Sequence, residues 1–194
     1  MRWKLLTAFA AAFTVVFAFI AIWVVHYASD MAMKRLTAQL LEATEGAARD
    51  LPKKAVAAVA ELPTEGRPKR SGAYQRIAED LTSVRATIPS ISPYTFMLEG
   101  DELVYLVASG SPFKDPVART APDSTLTYMR AGLQGTTFEP QNTDSYGTWI
   151  SAFSPIVDKQ GSTIAAVGMD FSLEYVQDVQ QRAVSQVVPV LAVS

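Results

Sequence analysis

The chain has 194 residues, enough for one domain of ordinary size with accessory helices. Its 17 Lys and Arg nearly balance its 19 Asp and Glu, so the sequence offers no large basic surface for nucleic acid. It has no cysteine and one histidine, His26, which excludes disulfides, thiolate metal sites, cysteine nucleophiles and His-based catalytic triads. We therefore expect no catalytic residue, no metal site and no cofactor.

The N-terminal segment is apolar. From Leu5 to Tyr27 it contains no Asp, Glu, Lys or Arg in 23 positions, and a helix needs about 20 residues to cross a bilayer. Arg2 and Lys4 precede it, and the positive-inside rule keeps these cations cytoplasmic. We predict a cytoplasmic tip and transmembrane anchor over residues 1–27 in the inner membrane, with the following residues in the periplasm or outside the cell.

A cleaved signal peptide is the competing interpretation of this segment. Its apolar core would be shorter, about 7–15 residues, and would end at a small-x-small cleavage site. The residues at the exit, His26-Tyr27-Ala28, fit that pattern badly. The sequence therefore favours an uncleaved anchor.

A long helix is predicted to run out of the anchor. Proline at position 52 should kink or split it near residues 48–51, and the segment Pro63–Pro68 should end it as a loop. Its apolar stripe has two compatible explanations, packing onto its own domain and pairing with a second copy of the chain. The stripe consists of residues spaced three or four apart: Leu36, Leu40, Ala43, Ala47, Leu51, Ala55, Ala58 and Leu62.

A second helix is expected from about Ala73 to Thr87, and after it the period of the pattern changes from helix to strand. Two hairpins follow, Tyr94–Leu98 with Leu103–Val107, and Thr148–Val157 with Ser162–Met169.

Between the hairpins lies a polar segment, Ser109–Asn142, that we interpret as a lid or binding loop. Asp123 can cap a short helix within it, running to Arg130 and closed by Gly132.

The last predicted helix starts at Ser172 and runs into the apolar stretch 187–193. This stretch is too short to span a bilayer. We interpret it as the beginning of a second span, with the alternative that the protein ends naturally in a short apolar tail. The anchor would thus be single- or double-pass, with a domain over residues 28–181 and a helix leading to the second span over 182–194.

Two stretches resemble a known family. Residues Tyr74–Leu81 leading to Pro93-Tyr94-Thr95, and Thr143–Asp158 with Gly161 and Val167-Gly168-Met169-Asp170, are similar to the extracytoplasmic Cache domain. That domain is the PAS-like (PDC) sensor module of bacterial membrane receptors, and the likeness, over about 31–181, is to its single-Cache type. It implies an α+β fold, a PAS-like antiparallel sheet with the long N-terminal helix packed on it.

The resemblance also implies a small-molecule pocket on the sheet face opposite the long helix. In amino-acid-binding members of the wider family, an aspartate at the position of Asp170 holds the ligand's ammonium. Those members also carry an Arg-x-Trp element, whereas this chain has Arg119-Thr120-Ala121. The resemblance further implies an output domain beyond the membrane, such as a histidine kinase or a nucleotide cyclase, which this chain does not include.

Strand alternation puts Asp170 on one face with Gly168 and Ala166, which would leave room beside the carboxylate. The alternative is that Asp170 satisfies backbone N–H groups at the strand-to-helix turn. For the other candidates the alternatives are core packing for the aromatic residues and a solvated loop charge for the arginine. The candidate ligand-binding residues are Asp170, Trp149, Ser151, Tyr94, Tyr105, Arg119 and Tyr128.

These features together indicate an extracytoplasmic small-molecule sensing domain of a membrane receptor, working as a homodimer. The expected ligand is an organic acid, an amine or an amino acid. The alternative is a membrane-anchored binding or scaffold protein without signalling output. An extracytoplasmic hydrolase would need a nucleophile with a base, and His26 alone cannot build the usual relay.

Overall fold

The computed structural model describes residues 2–62, 71–88, 90–109, 123–144 and 147–192. The predicted loop Pro63–Pro68 lies outside these residues, and so does Pro89, a proline that follows the second predicted helix and is expected to end it. The helices are α1 (Arg2–Asp50), α2 (Lys53–Ala60), α3 (Gly72–Thr87), α4 (Asp123–Gly132) and α5 (Leu173–Ala192). The strands are β1 (Ile91–Glu99), β2 (Glu102–Ala108), β3 (Thr137–Asp144), β4 (Gly147–Val157) and β5 (Thr163–Ser172).

The chain divides into two compact units. One consists of Met1–Leu36 with Val176–Ser194 and contains the first part of α1 and most of α5. The other, Thr37–Tyr175, contains the rest of α1, the other helices and all the described strands.

Helix α1 contains the predicted anchor. Among the described residues it is the one helix long and apolar enough to cross a membrane, and the most apolar 18-residue window of the span Leu6–Asp50 has a mean hydropathy of 2.6. No part of that window is buried. Length, composition and exposure therefore all suit a helix surrounded by lipid.

Pro52 breaks the helix as predicted. Helix α1 ends at Asp50 and α2 begins at Lys53, since proline cannot donate the backbone hydrogen bond that would continue α1. The ammonium of Lys53 donates to the carbonyl oxygens of Ala48 and Arg49, at 2.6 Å each. These bonds satisfy carbonyls that a helix end leaves without a partner. Burial lowers the pKa of Lys53, an effect that the charge of Asp50 opposes.

Most of the apolar stripe is buried up to the break, but beyond the break it does not continue as predicted. Leu40, Ala47 and Leu51 are buried within the single chain, which supports packing onto the chain's own domain. Beyond Pro52 the stripe was expected to include Ala58, but Ala58 is exposed. The buried side chains of α2 are Ala55, which belongs to the predicted stripe, and Val56 and Val59, which do not.

The described strands form one antiparallel sheet of five in the order β2-β1-β5-β4-β3. Both predicted hairpins are present, as β1 with β2 and β4 with β5. The pairing of β1 with β5 joins the hairpins and puts these two strands inside the sheet. The α+β architecture inferred from the sequence is therefore confirmed.

One strand was missed. The loop between the hairpins was expected to run to Asn142, but Thr137–Asp144 forms strand β3 on the edge of the sheet, paired with β4. This segment is polar and contains Pro140, and both features argue against a strand when only the sequence is considered. An edge strand tolerates them, since one side of it needs no hydrogen-bond partner.

The two faces of the sheet have different partners. Helices α2 and α3 lie against β1 and β5 on one face, where Ile77 and Leu81 of α3 are buried. Helix α4 lies against β2, β3 and β4, and its Met129 joins a buried cluster with Phe96 and Phe153. We call this second side the α4 face.

Gly132 allows α4 to approach β4 closely. A Cβ at position 132 would overlap the Cβ of Phe153, so we expect Gly132→Ala to lower the free energy of unfolding by about 1–3 kcal/mol. The measurement is urea unfolding of the detergent-solubilised chain. The control is Gly46→Ala in α1, where no atom lies within 4 Å of the added Cβ and alanine should stabilise the helix by up to about 1 kcal/mol. Equal effects of the two substitutions would contradict the close approach.

Candidate ligand-binding site

Asp170 lies within strand β5, on the α4 face. The strand was expected to stop at this residue, but it continues to Ser172. The hydroxyl of Tyr94 donates to Oδ1 of Asp170 at 3.3 Å, and the aspartate is only 9% exposed. Burial, followed by the charge of Asp170, holds the pKa of Tyr94 well above its usual range, so the phenol keeps its proton and remains a donor.

The space expected above Gly168 is filled. The ring of Tyr94 lies so close to Gly168 that an added Cβ would overlap the ring carbons. The small residue therefore makes room for Tyr94 and not for a ligand, which corrects the expectation from strand alternation. This packing brings the phenol to Asp170, two residues further along β5.

Ser151 and Glu139 continue a polar row from Asp170 across the sheet. In the strand register, Asp170 of β5 is the Cα partner of Ser151 of β4, and Ser151 is the Cα partner of Glu139 of β3. Neighbouring strands lie about 4.7–4.9 Å apart, so the two acidic residues flank the serine at one strand spacing on each side. The exposed fraction of Ser151 is 1% and that of Glu139 is 0%.

A bulge in β3 brings Asn142 to the same row. The register passes from Glu139 opposite Ser151 to Asn142 opposite Trp149, which is three residues of β3 against two of β4. Without the bulge, residues 139 and 142 would point to opposite faces. The Nδ2 atom of Asn142 donates to Oε2 of Glu139 and to Oγ of Ser151, both at 2.9 Å.

Helix α4 is tied to this row through Thr125. Its hydroxyl donates to Oε1 of Glu139 at 2.9 Å, and Thr125 is buried. Burial raises the pKa of Glu139, while the hydrogen bonds from Thr125 and Asn142 oppose this rise. Sequence reasoning missed Thr125, Glu139 and Asn142 as site residues, because residues 125–142 were assigned to a loop and its short helix.

The other predicted residues are less central. The ring of Tyr105 meets that of Tyr94 edge-on, with the ring centroids 5.3 Å apart. Tyr128 of α4 is partly buried against the apolar cluster, and Trp149 is half-buried on β4 beside Gly147. The predicted Arg119 lies outside the described residues.

Arg130, in the short helix of the predicted lid segment, contacts the β1–β2 turn. Its Nη1 atom lies 3.1 Å from Oδ1 of Asp101. Both side chains are substantially exposed, so this ion pair adds little stability. It does connect the C-terminal part of α4 to the opposite edge of the sheet from β3.

Two surface cavities lie away from this row of residues. One, of about 440 Å³, lies between Gln39 and Ala43 of α1, Ile88 after α3, and Tyr175 of α5. The other, of about 480 Å³, runs along α3 from Tyr74 to Ser83. Neither is lined by any of the predicted binding residues. Among the described residues, no group of three or more His, Cys, Asp or Glu side chains could hold a metal ion.

In the part of the chain that the structure describes, the sheet order, helices α2 and α3 on one face and helix α4 over a polar row on the other define a PAS-like fold of the Cache type. Two solved domain structures share this fold. The sensor domain of DcuS from Escherichia coli matches with a TM-score of 0.54 and 14% identity over 77% of this chain and 97% of that chain. The periplasmic domain of Vibrio cholerae LuxQ matches with a TM-score of 0.55 and 10% identity over 83% and 70%.

The ligand-binding domain of the Campylobacter jejuni chemoreceptor Tlp3, in complex with L-valine, matches with a TM-score of 0.43 and 17% identity. That match covers 80% of this chain and 66% of that chain, so the chain spans slightly less than two thirds of the length of the Tlp3 domain. No family model and no curated protein matches the sequence. The expected Cache-like fold is confirmed.

The raised pKa of Glu139 predicts a pH effect on stability. A group whose pKa is raised on folding contributes stability that is complete below its unfolded pKa and is lost as pH rises through its folded pKa. The free energy of unfolding of the wild type, minus that of Glu139→Gln, should therefore decrease as pH rises from below 4.5, the ordinary value, through the higher folded pKa. Urea unfolding of both proteins across this range is the measurement.

Glu79→Gln, on the exposed surface of α3, is the matched control for the substitution itself. The raised pKa of Glu139 would be contradicted if the difference in free energy of unfolding between the wild type and Glu139→Gln stayed constant with pH or increased as pH rises.

Proposed function

We propose that the chain is the extracytoplasmic small-molecule sensing domain of a membrane-bound receptor. In this proposal α1 anchors it in the inner membrane and the domain lies in the periplasm or outside the cell, acting as a homodimer. Ligand binding is passed through the membrane to a cytoplasmic output domain. The observation that carries the proposal is the buried carboxylate of Asp170, held by Tyr94 on the α4 face of a fold that sensory domains share.

The site suits a ligand that donates hydrogen bonds. A buried carboxylate is stable only with donors or cations around it. Among the described residues, the groups whose charges act on Tyr94 are Asp170, Tyr105 and Glu139, and none of the three carries a positive charge. Of the three expected ligand classes, an amine or an amino acid with its ammonium at Asp170 is therefore favoured over an organic acid.

Helix α4 is the proposed movable element. It lies over the α4 face through Met129 and is fixed at its two ends by Thr125 and Arg130. A ligand can shift the balance between two positions of this helix only by binding one of them more tightly. Because α5 begins three residues after Asp170, a change at the site has a short covalent path to the helix that leads to the membrane.

The first test is a thermal-shift screen of the detergent-solubilised chain with amines, amino acids and organic acids. We expect stabilising compounds to carry an ammonium group, and Asp170→Asn to weaken their binding about 10- to 100-fold, since hydrogen bonds to charged groups contribute about 1.5–3 kcal/mol. Asp101→Asn, at an exposed position in the β1–β2 turn, is the control. A compound whose stabilisation survives Asp170→Asn would remove Asp170 from the site.

The second test concerns topology. Alkaline phosphatase fused after Gln181 should be active and green fluorescent protein fused there should be dark, because both report export from the cytoplasm. Arg2 and Lys4 set this orientation, so replacing both with Glu should reduce phosphatase activity. A bright fluorescent fusion and an inactive phosphatase in the unmodified chain would overturn the proposed location.

A further inference from the structure

A buried chain of hydrogen bonds connects α4 to strand β4. Thr125 donates to one oxygen of Glu139, and Asn142 donates to the other oxygen and to Oγ of Ser151, at 2.9 Å in each case. All four residues are buried. These hydrogen bonds connect helix α4 to Ser151, the serine beside Asp170.

Glu139 fixes the direction of these bonds. An ionised carboxylate can only accept, so the amide of Asn142 must turn its NH₂ group toward Glu139. Because the carboxylate has no hydrogen to donate, this is the one orientation of the amide that forms the bond. A proton on Oε1 of Glu139 would not change this, because the hydroxyl of Thr125 can accept as well as donate.

The hydroxyl of Ser151 is consequently left as a donor. Its oxygen accepts from Asn142, and a hydroxyl has one hydrogen to give. No acceptor for that hydrogen is found in the part of the chain that the structure describes. Because Ser151 is only 1% exposed, an unused donor at this position would be costly. The serine shares the α4 face with its neighbour Asp170.

A hydrogen-bond acceptor on a ligand would satisfy the hydroxyl donor of Ser151. The neighbouring residues restrict the chemistry of that acceptor. Glu139 and Asp170 flank Ser151 on the two adjacent strands. A carboxylate placed between them would be repelled by both, whereas a neutral oxygen would not. The acceptor is therefore an ether, hydroxyl, ketone or amide oxygen.

We propose that Glu139 and Asn142 are positioning residues that set the hydrogen-bond polarity of the site, so that it takes an amine with a neutral oxygen acceptor directed at Ser151. This inference rests on the proposed function, in which Asp170 holds the ammonium. It narrows the ligand class to oxygenated amines such as amino ethers, amino alcohols and amino amides.

The test exchanges the two side chains in the double variant Glu139→Gln/Asn142→Asp. The exchange conserves net charge and functional groups, since the new amide at position 139 can accept from Thr125 and donate to the new carboxylate at position 142. That carboxylate can only accept, so Ser151 must donate to it and presents a lone pair to the site. The hydrogen-bond polarity at Ser151 is thereby reversed, while the net charge of the protein is unchanged.

The probes are 3-methoxypropylamine and pentylamine, which carry the same charge and length and differ in one ether oxygen against one CH₂ group. Calorimetry on the detergent-solubilised chain gives the ratio of their dissociation constants, pentylamine over 3-methoxypropylamine. We expect Ser151→Ala to lower this ratio roughly 2- to 10-fold, the effect of one net hydrogen bond. The exchanged variant should lower it at least as much, since an ether oxygen can only accept.

The outcomes separate the two proposals. If neither amine binds the wild type, or if both still bind Asp170→Asn unchanged, the site proposed at Asp170 is wrong and this inference fails with it. If both bind through Asp170 but the ratio is the same in wild type, Ser151→Ala and the exchanged variant, this inference alone is wrong.

Ser154→Ala is the matched control. Ser154 is buried on the same strand but points to the opposite face, where its hydroxyl meets that of Thr136 at 3.1 Å. We expect Ser154→Ala to have the same ratio of dissociation constants as the wild type. If the ratio falls equally in Ser154→Ala and Ser151→Ala, the inference is contradicted. Urea unfolding confirms that each variant is folded before binding is compared.

Discussion

The contact between Tyr94 and Asp170 constrains the centre of the sheet. A carboxylate inside a sheet needs hydrogen bonds, because removing a charge from water is expensive. The register of β1 with β5 places Tyr94 opposite Gly168 and Ser92 opposite Asp170, so the ring crosses the glycine to reach the acid. A slip of one residue would move Tyr94 to the opposite face and leave the acid without this donor. The register, the glycine and the acid therefore depend on one another.

A second buried acid imposes a similar requirement at the edge of the sheet. Glu139 is fully buried and receives hydrogen bonds from α4 and from its own strand. The strand supplies its donor only because the bulge turns Asn142 to the face of Glu139. A partly satisfied buried network would be worse than an apolar one. The position of α4 is thus coupled to the polar row beneath it, and the movable element and the proposed site share one set of bonds.

The sequence predicted those elements whose signals are local. Alternation identified both hairpins, and Pro52 identified the helix break, because each depends on residues near one another in the chain. Strand β3 depends on its partner β4, and its own residues, including Pro140, resemble a loop. The space above Gly168 could not be judged either, since its occupant comes from β1, about 70 positions earlier in the chain. Glu139 and Asn142 acquire their roles only through a bulge that the sequence does not announce.

The link from the site to α5 follows from strand alternation at the end of β5. Asp170 and Phe171 are consecutive and therefore point to opposite faces. Phe171 is buried, and its ring lies 5.1 Å from that of Tyr175 in the first turn of α5. Ser172, where the last helix was predicted to start, caps the same turn by accepting from the N–H of Tyr175 at 3.2 Å. A change in the twist of β5 at Asp170 would act at once on the contacts that Phe171 and Ser172 make with Tyr175. These two contacts are therefore a sufficient path from the proposed site to α5.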